Sequence, residues 1–245
     1  MASTPFTAKL LVRRNLAKDI YEVTFELVNP AELIYDAGNF LTVKVQDGIT
    51  SPVMRAYTFA CSGCDKTIFK LCFKVFRDES GKAGRGSGYL STLPLGEIAE
   101  FFGPAGEGDF AVNLQVENPL WLLATGTGVA PLKAVAEKLT HAKSPRKIHL
   151  MLGVSLPEDK FYEEDFTKLQ EANPNFTYQI CVSRPGDDYT GCSGRIPAVL
   201  EKSEIPADAE FKICGSVESV NGIKTKLLEL GFLEEKIDSS GFGAA

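Results

Sequence analysis

The sequence predicts two domains, an antiparallel β-barrel followed by an α/β domain built on a parallel sheet. Two observations support this fold class. The first half contains short runs of β-branched and aromatic residues separated by Gly, Pro, Asp and Asn turns, which is typical of antiparallel β structure. From Trp121 onward, strand patterns alternate with helical patterns, which favours βαβ units. Since the period changes near Asn113–Asn118, we expect domains at residues 1–113 and 119–245.

The first domain reads as a series of strands with one short helix, Gly88–Leu93, before the last of them. Strands this short and this closely spaced favour a barrel or a sandwich. The predicted strands are Thr7–Arg14, Ile20–Val28, Phe40–Val45, Arg55–Ala60, Thr67–Phe76 and Ile98–Phe102.

The second domain reads as four strands, each followed by a helix. The predicted strands are Trp121–Ala124, Lys147–Leu152, Phe176–Val182 and Glu210–Cys214. The predicted helices are Val129–Ala142, Glu158–Glu171, Ile196–Lys202 and Val217–Leu230. Such alternation predicts a parallel sheet with helices on both faces.

The composition predicts a cytoplasmic globular protein. The chain has 245 residues, of which 44% are hydrophobic and 24% charged, and no segment resembles a signal peptide or a membrane span. Its six cysteines are scattered, which fits a reducing compartment. A net charge of −6 argues against nucleic-acid binding. We expect a monomer that binds neither nucleic acid nor membrane.

One basic run stands out in the first half: Lys70, Lys74, Arg77, Lys82 and Arg85. Residues 1–113 hold 12 Lys and Arg against 13 Asp and Glu, so this half is nearly neutral. The run is either a solvated face, which is the common case, or a surface that attracts phosphate or an acidic partner. On the second interpretation, Lys74 is a candidate cofactor-binding residue.

The stretch Trp121–Lys138 has the strand, glycine turn and helix order of a nucleotide site. Its glycines let the backbone approach a phosphate, and the helix N-terminus offers unpaired N–H groups. Thr127 and Gly128 are therefore candidate phosphate ligands. Pro131 stands where the dinucleotide fingerprint has its third glycine, and no P-loop Gly-Lys-Ser/Thr follows. A turn that merely starts a helix is the simpler alternative.

Two patterns in the first half also suit a phosphate ligand. In the strand around Arg55 and Tyr57, both side chains share one face, where a guanidinium could bind phosphate and a phenol could stack on a ring. Gly84–Leu90 is a glycine-rich entry to a helix, where N–H groups and the Ser87 hydroxyl could hold a pyrophosphate. An ordinary half-exposed strand and a flexible surface loop are the respective alternatives.

Taken in order, these motifs resemble the ferredoxin–NADP(H) reductase superfamily, in particular its bacterial flavodoxin or ferredoxin reductases. The matching motifs are Arg55-x-Tyr57-Thr58, Gly86-Ser87-x-x-Leu90, Gly103-Pro104-x-Gly106, Gly126-Thr127-Gly128-x-Ala130-Pro131 and Cys214-Gly215. Each motif is weak alone, but five in this order across nearly the whole chain are specific. The resemblance implies a flavin-binding barrel and a nucleotide-binding α/β domain.

The resemblance also implies roles for the flavin-side residues. Arg55 would bind the FAD pyrophosphate, Tyr57 would stack on the isoalloxazine, and Thr58 would present its hydroxyl to flavin N5. Ser87, with the backbone of Gly86 and Gly88, would hold the pyrophosphate.

On the nucleotide side, Gly126–Pro131 would cradle the pyrophosphate, and Cys214 and Gly215 would lie beside the nicotinamide. Tyr57, Thr58 and Cys214 are thus the implied catalytic residues.

The preferred nucleotide depends on Arg184 and Arg195, which could clamp a ribose 2′-phosphate and so favour NADP(H). Bacterial relatives usually carry an arginine where Ser155 stands, and its replacement weakens that preference.

The C-terminus departs from the family pattern too. Phe242 is the last aromatic residue and could cover the flavin as a mobile lid, or could belong to a frayed tail. Ser240 stands where plant-type members carry a carboxylate.

Cys61-Ser62-Gly63-Cys64 is interpreted as a turn with two thiols, because no second pair with metal-ligand spacing exists. The chain also lacks the cysteine pattern of an iron–sulfur protein, so we expect no metal.

The sequence therefore predicts an FAD enzyme that exchanges a hydride with NADP(H) and single electrons with a small acidic ferredoxin or flavodoxin. One alternative is an NADH-dependent reductase that serves an oxygenase, a cytochrome or free flavin. Another is a non-catalytic subunit that holds FAD within a larger complex.

Overall fold

A computed structural model describes residues 4–48, 53–106 and 110–242. The chain divides into two compact units, Met1–Ala111 and Val112–Ala245, and each is described by itself.

The first unit is a curled antiparallel sheet of six strands in the order β4-β3-β6-β1-β2-β5. Its strands are β1 (Thr4–Ala17), β2 (Ile20–Asn29), β3 (Phe40–Val45), β4 (Val53–Thr58), β5 (Ile68–Lys74) and β6 (Ile98–Ala105). One helix, α1 (Arg85–Thr92), precedes β6. The two edges of the sheet approach each other just beyond β4, where Phe59 bridges to Leu71 and the Ala60 N–H donates to the Lys70 carbonyl at 2.8 Å.

Aromatic side chains fill the interior of this sheet. Phe6, Phe25, Phe69 and Phe101 are buried, and Phe6 and Phe25 each contact both Phe69 and Phe101, which also contact each other, with ring centroids 5.0–5.8 Å apart. They come from four different strands at positions that alternate with more exposed residues, as the two-residue period of a half-buried strand requires. This core fixes the strands that carry the candidate flavin residues.

The second unit is a parallel sheet of five strands in the order β11-β10-β7-β8-β9. Its strands are β7 (Leu120–Thr125), β8 (Ile148–Val154), β9 (Phe176–Val182), β10 (Glu210–Ser216) and β11 (Ile237–Phe242). Its helices are α2 (Val129–His141), α3 (Glu163–Ala172), α4 (Ile196–Leu200) and α5 (Val217–Glu229). The first five residues of β7 are all buried, which is typical of a central parallel strand covered on both faces.

The predicted fold class is confirmed: an antiparallel curled sheet is followed by a parallel α/β sheet. β11 has no counterpart among the predicted strands, because Ile237–Phe242 is short and mostly exposed. The frayed-tail alternative for Phe242 is therefore wrong, since this residue pairs in register with Ser216 of β10. The predicted helix at Gly88 begins three residues earlier, at Arg85.

No helix in the described parts of the chain is long and apolar enough to cross a membrane.

Candidate functional site

In the first unit, Arg55, Tyr57 and Gly86 lie together. A Cβ atom added at Gly86 would lie 2.6 Å from Cγ of Arg55 and 2.8 Å from the Tyr57 hydroxyl. The strand brings the arginine and the tyrosine to one face, and the first turn of α1 packs against both. Glycine is required at position 86 because any side chain would overlap the two side chains of β4.

Tyr57 is anchored against the core of this unit. Its ring meets the edge of Phe73 at a centroid distance of 5.7 Å. Burial raises the pKa of Tyr57 to about 12, although the nearby Arg55 guanidinium acts in the opposite direction. The phenol is therefore protonated at neutral pH and serves as a neutral hydrogen-bond donor.

The start of α1 offers backbone donors beside this group. No side chain caps this helix, whose N-cap residue is Gly84, and Ser87 lies half-buried in its first turn. Uncapped N–H groups at a helix N-terminus attract anions. The fit around Gly88 is looser than that around Gly86, since a Cβ added at Gly88 would lie 3.1 Å from the Ala83 side chain.

Thr58 and Lys74 are not among the residues that pack around Gly86. Thr58 ends β4, is half-buried and pairs with Phe40 of β3. Lys74 is exposed at the end of β5, and its ammonium lies 5.9 Å from the ring centroid of Phe76. The contacts of the described residues link Lys74 to that ring rather than to the Arg55 group.

The basic run is largely paired with acids. Arg85 makes a two-pronged ion pair with Asp47, with N–O distances of 2.6 and 2.7 Å. Arg77 lies 3.7 Å from Asp19. These carboxylates are distant in sequence, so the pairing was not evident from the run itself. The run is accordingly less positive than its sequence suggests.

In the second unit, the glycine turn after β7 packs against the end of β10. A Cβ atom added at Gly128 would lie 2.5 Å from the carbonyl carbon of Cys214 and 2.6 Å from the nitrogen of Gly215. A Cβ at Gly215 would overlap the Thr125 hydroxyl. Gly126 has φ +52°, in the left-handed region that favours glycine. The turn after β7 and the end of β10 are thus so close that neither Gly128 nor Gly215 leaves room for a side chain.

Thr127 lies in the middle of this turn, immediately before α2 begins. Its position at a helix N-terminus is one at which backbone N–H groups can hold a phosphate. Cys214 is fully buried between Ala124 of β7 and Ser240 of β11. Phe242, two residues further along β11, is 41% exposed.

Arg184 and Arg195 flank a loop at the same carboxyl edge of the sheet, and both are exposed. The Arg184 N–H donates to the Ser155 carbonyl at 2.9 Å, so residue 155 adjoins the first arginine. Arg195 is the N-cap residue of α4. Residues on a loop outside the carboxyl ends of parallel strands are suited to bind a ligand.

Sequence reasoning missed a pair of thiols in this region. The sulfur atoms of Cys181 and Cys192 lie 2.8 Å apart, and a spacing of eleven residues gave no signal for this contact. The two cysteines of the Cys61–Cys64 motif are not joined by a disulfide, and the Cys61 sulfur lies 2.9 Å from the Tyr35 hydroxyl. Across the described ranges, no group of three or more His, Cys, Asp or Glu side chains could hold a metal ion.

Comparison with known proteins assigns a domain family to most of each unit. Residues 7–110 match the family model of the oxidoreductase FAD-binding domain, and residues 122–224 match that of the oxidoreductase NAD-binding domain. The chain belongs to the ferredoxin–NADP(H) reductase superfamily. Its membership establishes an oxidoreductase that uses FAD and a pyridine nucleotide.

Among curated superfamily proteins, the chain is 31% identical over 239 residues to one subunit of the Na⁺-translocating NADH-quinone reductase of Serratia proteamaculans. The match covers 93% of this chain but 58% of that protein. Its counterpart from a Marinomonas species is 32% identical, with 85% and 53% covered. The chain thus spans just over half the length of these relatives.

Solved structures share the fold. The FAD/NAD-binding domain of a nitric oxide dioxygenase from Vibrio cholerae superposes with a TM-score of 0.86 at 19% identity, covering 98% of this chain and 99% of that one. The cytochrome P450 reductase GcoB of Amycolatopsis gives 0.85 at 21% identity, with 98% and 70% covered. At these identities the likeness concerns the fold alone.

Proposed function

We propose that the chain is an electron-transfer reductase that oxidises NADH through bound FAD and passes electrons singly to a separate carrier. One observation carries the proposal: a single chain contains two helix N-termini with a closely packed glycine, both suited to an anion. The first is the start of α1 beside Arg55 and Tyr57, and the second is the turn Gly126–Gly128 against Gly215. Both sites fit a dinucleotide, because each joins helix N–H groups to a surface that admits no side chain.

The flavin side is residues 1–113 in this proposal. Arg55 binds the pyrophosphate, aided by Ser87 and the backbone of α1, and Tyr57 supports the ring system as a neutral donor. FAD, when bound, accepts a hydride and releases electrons one at a time. Thr58 presents its hydroxyl at the end of β4.

The nucleotide side is residues 119–245. The turn before α2 holds the pyrophosphate with its N–H groups, and Cys214, with Ser240 beside it, borders the nicotinamide. In this proposal each unit holds one cofactor in place, while the redox chemistry belongs to the cofactors.

Two observations favour NADH over the NADP(H) expected from the arginines. The curated relatives carry NADH in their names, and Ser155 supplies no cation next to Arg184. Arg184 and Arg195 remain a specific reason to test NADPH, since both are exposed at the same sheet edge.

The proposed carrier is a small acidic protein such as ferredoxin or flavodoxin. The first half of the chain supports this choice only through its near-neutral charge, because several cations of the basic run are paired with acids. Quinone, which the relatives' names contain, is the competing acceptor.

The test is an anaerobic titration of the FAD-loaded protein with NADH and with NADPH, followed by flavin absorbance. We expect NADH to bleach the flavin at lower concentration. Ser155→Arg should improve NADPH use about tenfold, because a charge-assisted contact to a phosphate is worth about 1.5–3 kcal/mol. Lys138→Ala, in the last turn of α2, is the matched control. It should not change the concentration of NADH or of NADPH that bleaches the flavin. A protein that binds no FAD, or that neither nucleotide reduces, would overturn the proposal.

A further inference from the structure

Two thiols of the second unit lie in direct contact. The sulfur atoms of Cys181 and Cys192 are 2.8 Å apart, and both residues are free cysteines. Cys181 is fully buried near the end of β9, whereas Cys192 is partly exposed. One thiol of the pair is thus open to a reagent in solution, and the other is shielded from it.

The backbone already holds the two cysteines opposite each other. Val182 and Ser193 form a parallel bridge, in which the Val182 N–H donates to the Cys192 carbonyl at 2.9 Å. The Gly194 N–H donates to the Val182 carbonyl at 2.8 Å. In such a bridge, the residues just before the paired ones also face each other, so both thiols project to the same side. Opposed residues of this kind lie within reach of a disulfide.

The segment between them is the loop that carries Arg184. Its first residues are tied to β8, since the Ser183 N–H donates to the Val154 carbonyl at 3.0 Å and Arg184 to Ser155 at 2.9 Å. Its middle residues are exposed. A covalent bond between the cysteines would close this loop where hydrogen bonds close it now.

We propose that Cys181 and Cys192 are a reversible oxidation site, whose disulfide locks the loop of residues 183–191. The oxidant is a low-molecular-weight disulfide such as oxidised glutathione. Two protein thiols and one small disulfide give one protein disulfide and two small thiols, so that two electrons and two protons leave the protein.

The exposure of the two thiols sets the order of the steps. The Cys192 thiolate attacks one sulfur of the small disulfide, forms a mixed disulfide and releases one small thiol. Cys181 then attacks the Cys192 sulfur, and its proton passes to the leaving sulfur, which departs as the second small thiol. Burial raises the pKa of the Cys181 thiol, as does its hydrogen bond with Cys192, so Cys181 is the slower, resolving partner.

The experiment uses the FAD-loaded Cys64→Ser protein, which lacks the second cysteine of the Cys61–Cys64 motif. After incubation with oxidised glutathione, unreacted thiols are blocked and the protein is digested before aspartate under non-reducing conditions. Cleavage at Asp187 and Asp188 separates the two cysteines, so their peptides stay joined only through a disulfide. We expect a joined pair lighter by two hydrogen atoms, together with a thermal midpoint of this unit about 5 °C higher.

A matched variant identifies the site. Cys192→Ser in the same background should lose the joined peptides and the thermal shift, while Cys72→Ser should keep both. A persistent glutathione adduct on Cys192 without joined peptides would overturn the proposal, as would joined peptides that involve a different cysteine. These results do not depend on nucleotide oxidation. If the proposed function also holds, the oxidised protein should show a changed KM for NADH that dithiothreitol reverses.

Discussion

The two glycine-walled sites are closed by different kinds of atoms. At Gly86, the atoms that exclude a side chain are Cβ and Cγ of Arg55 and the Tyr57 hydroxyl, which belong to side chains. At Gly128, the nearest atoms are the carbonyl oxygen and carbon of Cys214 and the nitrogen of Gly215, which belong to the backbone. Cγ of Arg55 and the Tyr57 hydroxyl can move by side-chain rotation, whereas the atoms around Gly128 move only with the backbone.

The sheet explains why the second wall is rigid. Cys214 pairs with Ala124 on one side and with Ser240 on the other. A shift of its backbone would disturb two parallel ladders at once, whereas a turn of the Arg55 side chain breaks no ladder. The same glycine substitution should therefore cost more in the second unit than in the first.

Two signals report the units separately. Trp121 is the single tryptophan and lies in β7, so its fluorescence follows the second unit. Release of FAD from the proposed flavin site follows the first unit.

The largest effect is expected for Gly128→Ala. The new methyl group would overlap the Cys214 backbone, and we expect the second unit to lose about 3 kcal/mol of unfolding free energy. Urea unfolding followed by Trp121 fluorescence measures this loss.

Gly222→Ala is the matched control in the same unit. Gly222 lies inside α5, and an added Cβ would have no atom within 4 Å. Alanine there should stabilise the unit by about 0.5–1 kcal/mol. Equal midpoints for the two variants would contradict a rigid wall at Gly128.

A smaller effect, and one that can be rescued, is expected for Gly215→Ala. Its Cβ would overlap the Thr125 hydroxyl, which a second substitution can remove. We expect a loss of about 2 kcal/mol for the single variant and recovery of at least about 1 kcal/mol when Thr125→Ala is added. A double-mutant cycle, again followed by Trp121 fluorescence, gives the coupling energy. If the two losses simply add, the hydroxyl is not the obstacle.

The sequence was sufficient for the fold class because both periods are strong. Phe40–Val45 and Phe176–Val182 were predicted with the bounds that the structure has. β11 was not predicted because Ile237 is its only buried residue, so the strand shows neither alternation nor an apolar run. Its pairing depends on an adjacent strand that is distant in sequence.

Only the parts of the site that short local motifs encode could be predicted from the sequence. Spacing along β4 brought Arg55 and Tyr57 to one face, and the structure adds Gly86 to them. The pairing of Arg85 with Asp47 spans 38 positions, and no local pattern encodes it. The same is true of the sulfur contact between Cys181 and Cys192, which depends on how the loop returns to β9.

On the flavin side, Gly86→Ala should affect binding more than folding. Arg55 and Tyr57 would have to turn aside, and we expect FAD affinity to fall about tenfold, the equivalent of about 1.4 kcal/mol. Gly84→Ala is the neighbouring control, because a Cβ there would meet nothing closer than 3.5 Å. Fluorimetric FAD titration measures both variants, and Trp121 fluorescence should show unchanged unfolding of the second unit. Equal FAD affinity in the two variants would remove Gly86 from the site.

The smallest effect is a pH dependence confined to the first unit. The pKa of Tyr57 is raised to about 12 by burial, while an unfolded tyrosine titrates near 10. The folded state therefore keeps a proton that the unfolded state loses, and the stability from this group, fully present below pH 10, disappears as the pH rises toward 12. Between pH 9 and pH 11, the wild-type unit should lose about 1.3 kcal/mol more than Tyr57→Phe, which has no phenol at position 57. Urea unfolding monitored by FAD release at the two pH values measures the difference, and other titrating groups cancel between the variants. Parallel pH profiles would mean that the Tyr57 hydroxyl is open to water, and the flavin-side wall would then be looser than the packing around Gly86 indicates.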